Sequence, residues 1–284
     1  MLRPTRWSDA AVSESIGYVI ISGILCSLLA IIFLMGYPLY NNYVDQSHLQ
    51  NMMEGFDLVS ENGNNVALLK TPYQQSEIKL YGGNVGIRGV GTMRVQYFAD
   101  LAGTTPVAPT GGSSTTGDSV ALRALEYSKD DSTIAYLLGG VFKRDEHTYP
   151  VIKKPDIYSY TRADGTPVLY LPLISLYENT YSLAGTTLAR ISFGTLYYSK
   201  KNQTVSQPVF NIYDHVRLVK ITLESDYNDC LYTYFHDEWG FDKDMGESTA
   251  DKLVMTKAYS NPATGITVNT VQSFVIASIN TGTD

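Results

Sequence analysis

From Ile16 to Met35 the chain carries no charged residue, and that stretch constrains its folding more than any other feature. An α-helix rises about 1.5 Å per residue, so about 20 residues cross the roughly 30 Å hydrocarbon layer of a bilayer. A core helix of a soluble domain is the competing reading, but one of this length would normally show a polar face. Arg3 and Arg6 precede the stretch, and no Lys or Arg follows it until Lys70. Positive charge is retained in the cytoplasm, so this asymmetry predicts a short cytoplasmic N-terminus and a body on the far side of the membrane. A cleaved secretory signal would have a shorter apolar region followed by a small-x-small site. Gly36-Tyr37-Pro38-Leu39-Tyr40 fits that pattern poorly, which favours a retained anchor. Ser22, Gly23, Ser27 and Ala30 are small enough to let a second helix approach in lipid, though membrane helices commonly contain such residues.

The remaining chain has the composition of a folded, strand-rich body. The whole chain has 22 Tyr, 23 Gly and 11 Pro, nearly all of them outside the apolar stretch, and so combines residues suited to pleated surfaces with residues that punctuate turns. A net charge of -7 excludes nucleic acid as a partner, because phosphate binding needs a basic face. Cys26 lies in the apolar stretch and Cys230 far downstream, so they cannot pair within one chain. The first reads as packing, the second as a buried thiol.

The run Ala11-Val12-Ser13-Glu14-Ser15-Ile16-Gly17-Tyr18, behind a short basic leader and opening the apolar stretch, resembles the N-terminus of archaeal type IV pilin-like proteins. The resemblance implies a cytoplasmic leader, residues 1–11, removed by a prepilin peptidase between Ala11 and Val12. It implies a transmembrane helix and amphipathic stalk over 12–60, whose self-association builds a filament core with pilus assembly machinery. Glu14 would then neutralise a neighbouring subunit's terminal ammonium. The family usually has Lys or Arg followed by Gly or Ala before the cut, where this chain has Ser8-Asp9-Ala10-Ala11. A membrane-anchored surface protein that does not polymerise is therefore the alternative. The downstream body also resembles that of uncharacterised euryarchaeal membrane proteins.

Leu39, Tyr43, Leu49, Met53 and Phe56 recur at near-helical spacing, so the helix is expected to resume after a kink near Gly36–Pro38 and run to about Val59. The cluster Glu61-Asn62-Gly63-Asn64-Asn65 is expected to end it. Residues 61–284 then form one extracytoplasmic β-rich domain. Strands are predicted over Val66–Lys70, Glu77–Tyr81, Thr92–Phe98, Ser119–Tyr127, Val168–Leu176, Thr187–Ser199, His215–Ser225 and Ile266–Ile279. Residues 102–118 read as a flexible loop, Asp164-Gly165 as a hairpin turn, and Asp226 as the cap of a short helix burying Leu231, Tyr234, Phe235 and Trp239. The expected fold class is α+β: a long N-terminal transmembrane and stalk helix, then a large antiparallel, sandwich-like β domain with one short helix.

No catalytic fingerprint is present, and no enzyme activity is expected. The Gly82–Gly91 cluster leads to no Lys-Ser/Thr and reads as a turn. Alternating carboxylates Asp237, Glu238, Asp242 and Asp244 offer oxygen ligands for calcium, but their spacing is not that of an EF-hand, and a solvated acidic turn is the preferred reading. Asn202-Gln203-Thr204 is a sequon for glycosylation at Asn202. The expected function is a structural, surface-displayed subunit in contact with membrane lipid.

Overall fold

The structure, a computed structural model, describes residues 9–110, 117–145, 148–177, 182–195, 208–260 and 264–282, with side chains from Ile16 onward. It is α+β, as expected: one long apolar helix, one short helix and a large β-rich domain. The chain divides into two units, up to Asn51 and from Met52 on. The first unit is helical. Helix α1 spans Asp9–Ile31, a single π-helical turn spans Ile32–Gly36, and helix α2 spans Tyr37–Ala67. Pro38 has no N–H to donate and its ring crowds the carbonyl four residues back. The wider π turn just ahead of it relieves that crowding where the sequence predicted a kink.

In the second unit the strands are β1 (Tyr73–Lys79), β2 (Asn84–Phe98), β3 (Asp118–Lys129), β4 (Ser132–Leu137), β5 (Gly140–Arg144), β6 (Val151–Lys153), β7 (Tyr158–Thr161), β8 (Pro167–Tyr177), β9 (Ser182–Ala184), β10 (Leu188–Thr195), β11 (Val209–Val216), β12 (Leu218–Ser225), β13 (Asp242–Lys243), β14 (Leu253–Ala258) and β15 (Ile266–Thr281), with helix α3 at Asn228–Trp239. One sheet has the order β1-β10-β15-β8-β7, with β11 also on β15; the other runs β13-β14-β12-β2-β3-β4-β5-β6, with β9 on β2. Pairing is antiparallel except between β8 and β15, which run parallel from Val168–Thr267 to Tyr177–Ile276. Alternation builds the core. Val219, Ile221 and Leu223 of β12 point inward opposite Tyr97, Val95 and Met93 of β2, while Lys220 and Glu224 face out. Each such buried aliphatic side chain contributes about 1.5–3 kcal/mol.

Several expectations need correction. The helix does not stop near Val59 but continues to Ala67, so Val66 and Ala67 are helical and the strand predicted over Val66–Lys70 is absent. The Asn-Gly cluster that should have broken it is a docking surface. Asn64 donates to Gly139 O (2.9 Å) and Asp156 (3.1 Å) and accepts from Tyr136 Oη (3.0 Å), and Asn62 donates to Ser76 Oγ (2.6 Å). The glycine cluster is a turn only at its start. Gly86, Gly89 and Gly91 lie within β2, where a register shift between Gly89 and Gly91 bends the strand. Gly91 has φ 138° and a Cβ there would strike Glu224 O, so no other residue fits. Part of the 102–118 loop is tied down. Ala99 donates to Thr105, Val107 to Tyr97 and Thr110 to Ile212, while Asp118 opens β3. The run predicted as one strand from His215 is two, β11 and β12, and β4, β5 and β14 were not foreseen. The Asp164-Gly165 turn is present: Arg162 and Thr166 bond across it, joining β7 to β8. Helix α3 is present, with Cys230, Leu231, Tyr234 and Phe235 buried, but Asp226 does not cap it; its carboxylate accepts from Arg88 at 2.7 Å. Gly240, left-handed at φ 63°, ends it.

Candidate functional site

No described residue from Ile16 to Met35 is buried; Leu28 is 51% exposed and Leu34 76%. Exposed side chains this apolar need a non-aqueous neighbour, and the helix is long and apolar enough to cross a membrane. Within it, Ser27 Oγ donates to Gly23 O at 2.8 Å, so that hydroxyl needs no water. Around Gly23 the helix surface is open, with no atom within 4 Å of the point a Cβ would occupy. Ala11, Val12 and Glu14 belong to the α1 backbone, and their side chains lie outside the described residues.

The β domain holds one conspicuous polar centre in its interior. Asp118 is 1% exposed. Its Oδ1 accepts from Asn211 Nδ2 (2.7 Å), Tyr213 Oη (3.1 Å) and Gln272 Nε2 (2.8 Å), and its Oδ2 from Tyr97 Oη (3.0 Å) and Thr270 Oγ1 (2.7 Å). Tyr97 and Asp118 belong to one sheet, Asn211, Tyr213, Thr270 and Gln272 to the other. The carboxylate therefore ties the two sheets together. Burial, and then the neighbouring Asp118, push the phenols of Tyr97 and Tyr213 well above their ordinary range. Nothing in the sequence marked Asp118, which sat at the end of an apparent loop.

On the outer face of the first sheet, Tyr158 lies across from Tyr170, Tyr170 is in register with Asn269, and Asn269 with Ile212. Cross-strand partners share a face, so these side chains form a row across four strands. The Tyr158 and Tyr170 rings stack at 4.7 Å, Asn269 donates to Tyr160 Oη at 3.4 Å, and Tyr158 is 50% exposed. Beside the stacked pair is a cleft of about 600 Å³ lined by Leu68, Lys70, Lys154, Asp156, Tyr158 and Tyr170. Period-two spacing of Tyr158 and Tyr160 was the signal available in the sequence. A second groove, of about 440 Å³ and lined by polar residues, lies on the outer face of the other sheet, where Arg94 and Lys220 neighbour Glu224 and Glu247.

The proposed calcium ligands are not gathered. Glu238 pairs with Lys154 at 2.7 Å, Asp244 accepts from the backbone N–H groups of Gly246 and Glu247, and Asp242 lies exposed on β13. Asp237 is exposed on α3, and among the described residues no group of three or more His, Cys, Asp or Glu side chains could hold a metal. Cys230 is buried and unpaired, and burial pushes its thiol up to about 12. Asn202 lies outside the described residues.

These features define a class first: an α+β protein with a two-sheet β domain and one exposed apolar helix capable of crossing a membrane. The chain belongs to a family of unknown function, DUF7289, which matches residues 11–273. No curated protein and no solved structure matches it.

Proposed function

We propose that this protein is a type IV pilin-like structural subunit, anchored by its apolar helix and displaying the β domain on the outer side of the membrane. The observation that carries the reading is the helix from Ile16 to Met35, without charge and without one buried residue, in a chain whose downstream unit closes its own core. The Ala11–Gly17 run supports a role in assembly, Arg3 and Arg6 support a cytoplasmic N-terminus, and absence of a catalytic fingerprint in the sequence supports a structural role. Mass spectrometry of the native N-terminus tests it. A start at Val12, with filaments visible by electron microscopy, is the expected result, and an intact Met1 on the mature protein overturns the filament reading. Glu14→Ala should impair assembly while leaving the β domain folded.

A second reading, a non-polymerising anchored binding protein, is favoured by the tyrosine-lined cleft. Its volume falls in the range of about 300–1,000 Å³ typical of ligand sites. Under that reading Tyr158→Ala abolishes surface binding without changing the thermal midpoint.

A further inference from the structure

The tyrosines of the N-terminal helix are unevenly placed. Tyr18 stands near the start of the apolar span, and Tyr37, Tyr40 and Tyr43 follow its end; between Tyr18 and Tyr37 the one aromatic residue is Phe33. All four tyrosines are exposed, from 64% at Tyr37 to 73% at Tyr43. Charge resumes just beyond them: Glu14 precedes Tyr18, Asp45 follows Tyr43, and no charged residue lies between Glu14 and Asp45.

The spacing matches a bilayer. From Tyr18 to Tyr37 the helix rises about 28 Å, against a hydrocarbon thickness of about 30 Å. Tyr37, Tyr40 and Tyr43 span about 9 Å along the axis, and at about 100° per residue they fan over roughly 120° of the helix surface. A headgroup layer of about 5–7 Å on each side would hold Tyr40 at its middle. Residue chemistry points the same way. A phenol buried in hydrocarbon leaves its hydroxyl without a partner, a cost of several kcal/mol, while full exposure to water wastes the ring. The interface satisfies both ends, which is why tyrosine concentrates there.

We propose that Tyr18 on one side and Tyr37, Tyr40 and Tyr43 on the other engage the glycerol and headgroup layers of a lipid bilayer and set the depth of the helix. This rests on the membrane-anchor reading. It goes further by assigning the two interfaces to residues, and it places the Ile32–Gly36 π turn inside the hydrocarbon and Asp45 in water.

The test uses the full chain in phosphatidylcholine vesicles, carrying Trp7→Phe and one added tryptophan at a time: Tyr18→Trp, Leu28→Trp or Tyr40→Trp. The signal of the chain without the added tryptophan is subtracted, and quenching by lipids brominated at shallow or deep acyl positions is compared with quenching by aqueous acrylamide. The expected result is greatest loss of emission with shallow bromines for Tyr18→Trp and Tyr40→Trp, and with deep bromines for Leu28→Trp. If Leu28→Trp is quenched from the deep position but Tyr40→Trp responds to acrylamide alone, the belt is wrong and the anchor stands. If Leu28→Trp responds to no brominated lipid, the anchor itself fails. Replacing Tyr37, Tyr40 and Tyr43 together by Ala should shift the depth of the Leu28→Trp probe; an unchanged depth overturns the proposal.

Discussion

Asp118 shows how much one side chain can organise. Its five donors are all neutral, and they split by chemistry. Oδ2 faces two hydroxyls, Tyr97 and Thr270, which can turn to accept, whereas Oδ1 faces the Tyr213 hydroxyl and the amide groups of Asn211 and Gln272, and those amide groups cannot accept. An asparagine here can present its carbonyl to the amides and its NH₂ to the hydroxyls. Asp118→Asn should therefore cost about 1–2 kcal/mol, while Asp118→Ala, which strands all five donors, should cost at least about 4 kcal/mol. Urea midpoints of the detergent-solubilised chain measure the gap; equal costs would mean that the carboxylate does not bridge the sheets. Cys230 belongs to the same scale. Held neutral by burial, it should resist alkylation in the folded protein and react on unfolding.

At the scale of elements, the two halves of the long helix obey different rules. In the apolar half no described side chain from Ile16 to Met35 is buried, and under the membrane-anchor reading lipid is the deciding neighbour. Ile24→Lys should cost about 2.5–3.5 kcal/mol of membrane insertion and release a measurable fraction of the protein on alkaline carbonate extraction. In the half that belongs to the β domain, packing decides. A Cβ at Gly63 would lie 2.7 Å from Tyr136 Oη, itself buried and bonded to Asn64. Helix propensity favours Gly63→Ala by about 1 kcal/mol, but overpacking costs about 1–3 kcal/mol. The expected outcome is a net loss of about 1 kcal/mol, partly relieved in the double variant with Tyr136→Phe. Gly23→Ala, made where no atom crowds the new methyl, should leave stability unchanged or raise it.

At the scale of the whole molecule, tyrosines buried among the aliphatic core residues give the protein a pH signature. Tyr97, Tyr136, Tyr213, Tyr227 and Tyr259 are each held above the ordinary phenol range, primarily by burial. In the unfolded chain they ionise near about pH 10. Below that value both states keep their protons and the contribution is complete. Above it the unfolded state gives up protons that the native state retains, so stability falls as pH rises. Cys230 adds to the same trend, starting from its unfolded value near 9. Urea midpoints should be flat to about pH 9 and decline steeply by about pH 11, with phenolate absorbance rising in step with unfolding. A flat profile across that interval would show that these hydroxyls reach solvent in the native state.

The amino-acid sequence by itself determined the two large divisions of this protein: an uncharged helix long and apolar enough to cross a membrane, and a turn-rich, β-branched and tyrosine-rich chain that needs a sheet. Those properties are local, set by hydropathy over about 20 residues and by alternation over a few. Helix α3, the β7–β8 turn and the strands at β3, β8 and β15 were legible for the same reason. Only the tertiary structure decided the rest. Asn62, Gly63 and Asn64 are helix breakers in isolation, yet they stay helical because Ser76, Tyr136, Gly139 and Asp156 bond to or pack against them. Gly86 and Gly89 look like turn residues and become strand because β3 pairs with both of them, and β9 pairs with Gly86 on the other edge of β2. Asp118 became the centre of the domain only because β11 and β15, distant in the chain, bring donors to it from the opposite sheet. Contacts between residues far apart in sequence supply these energies, and no local pattern records them.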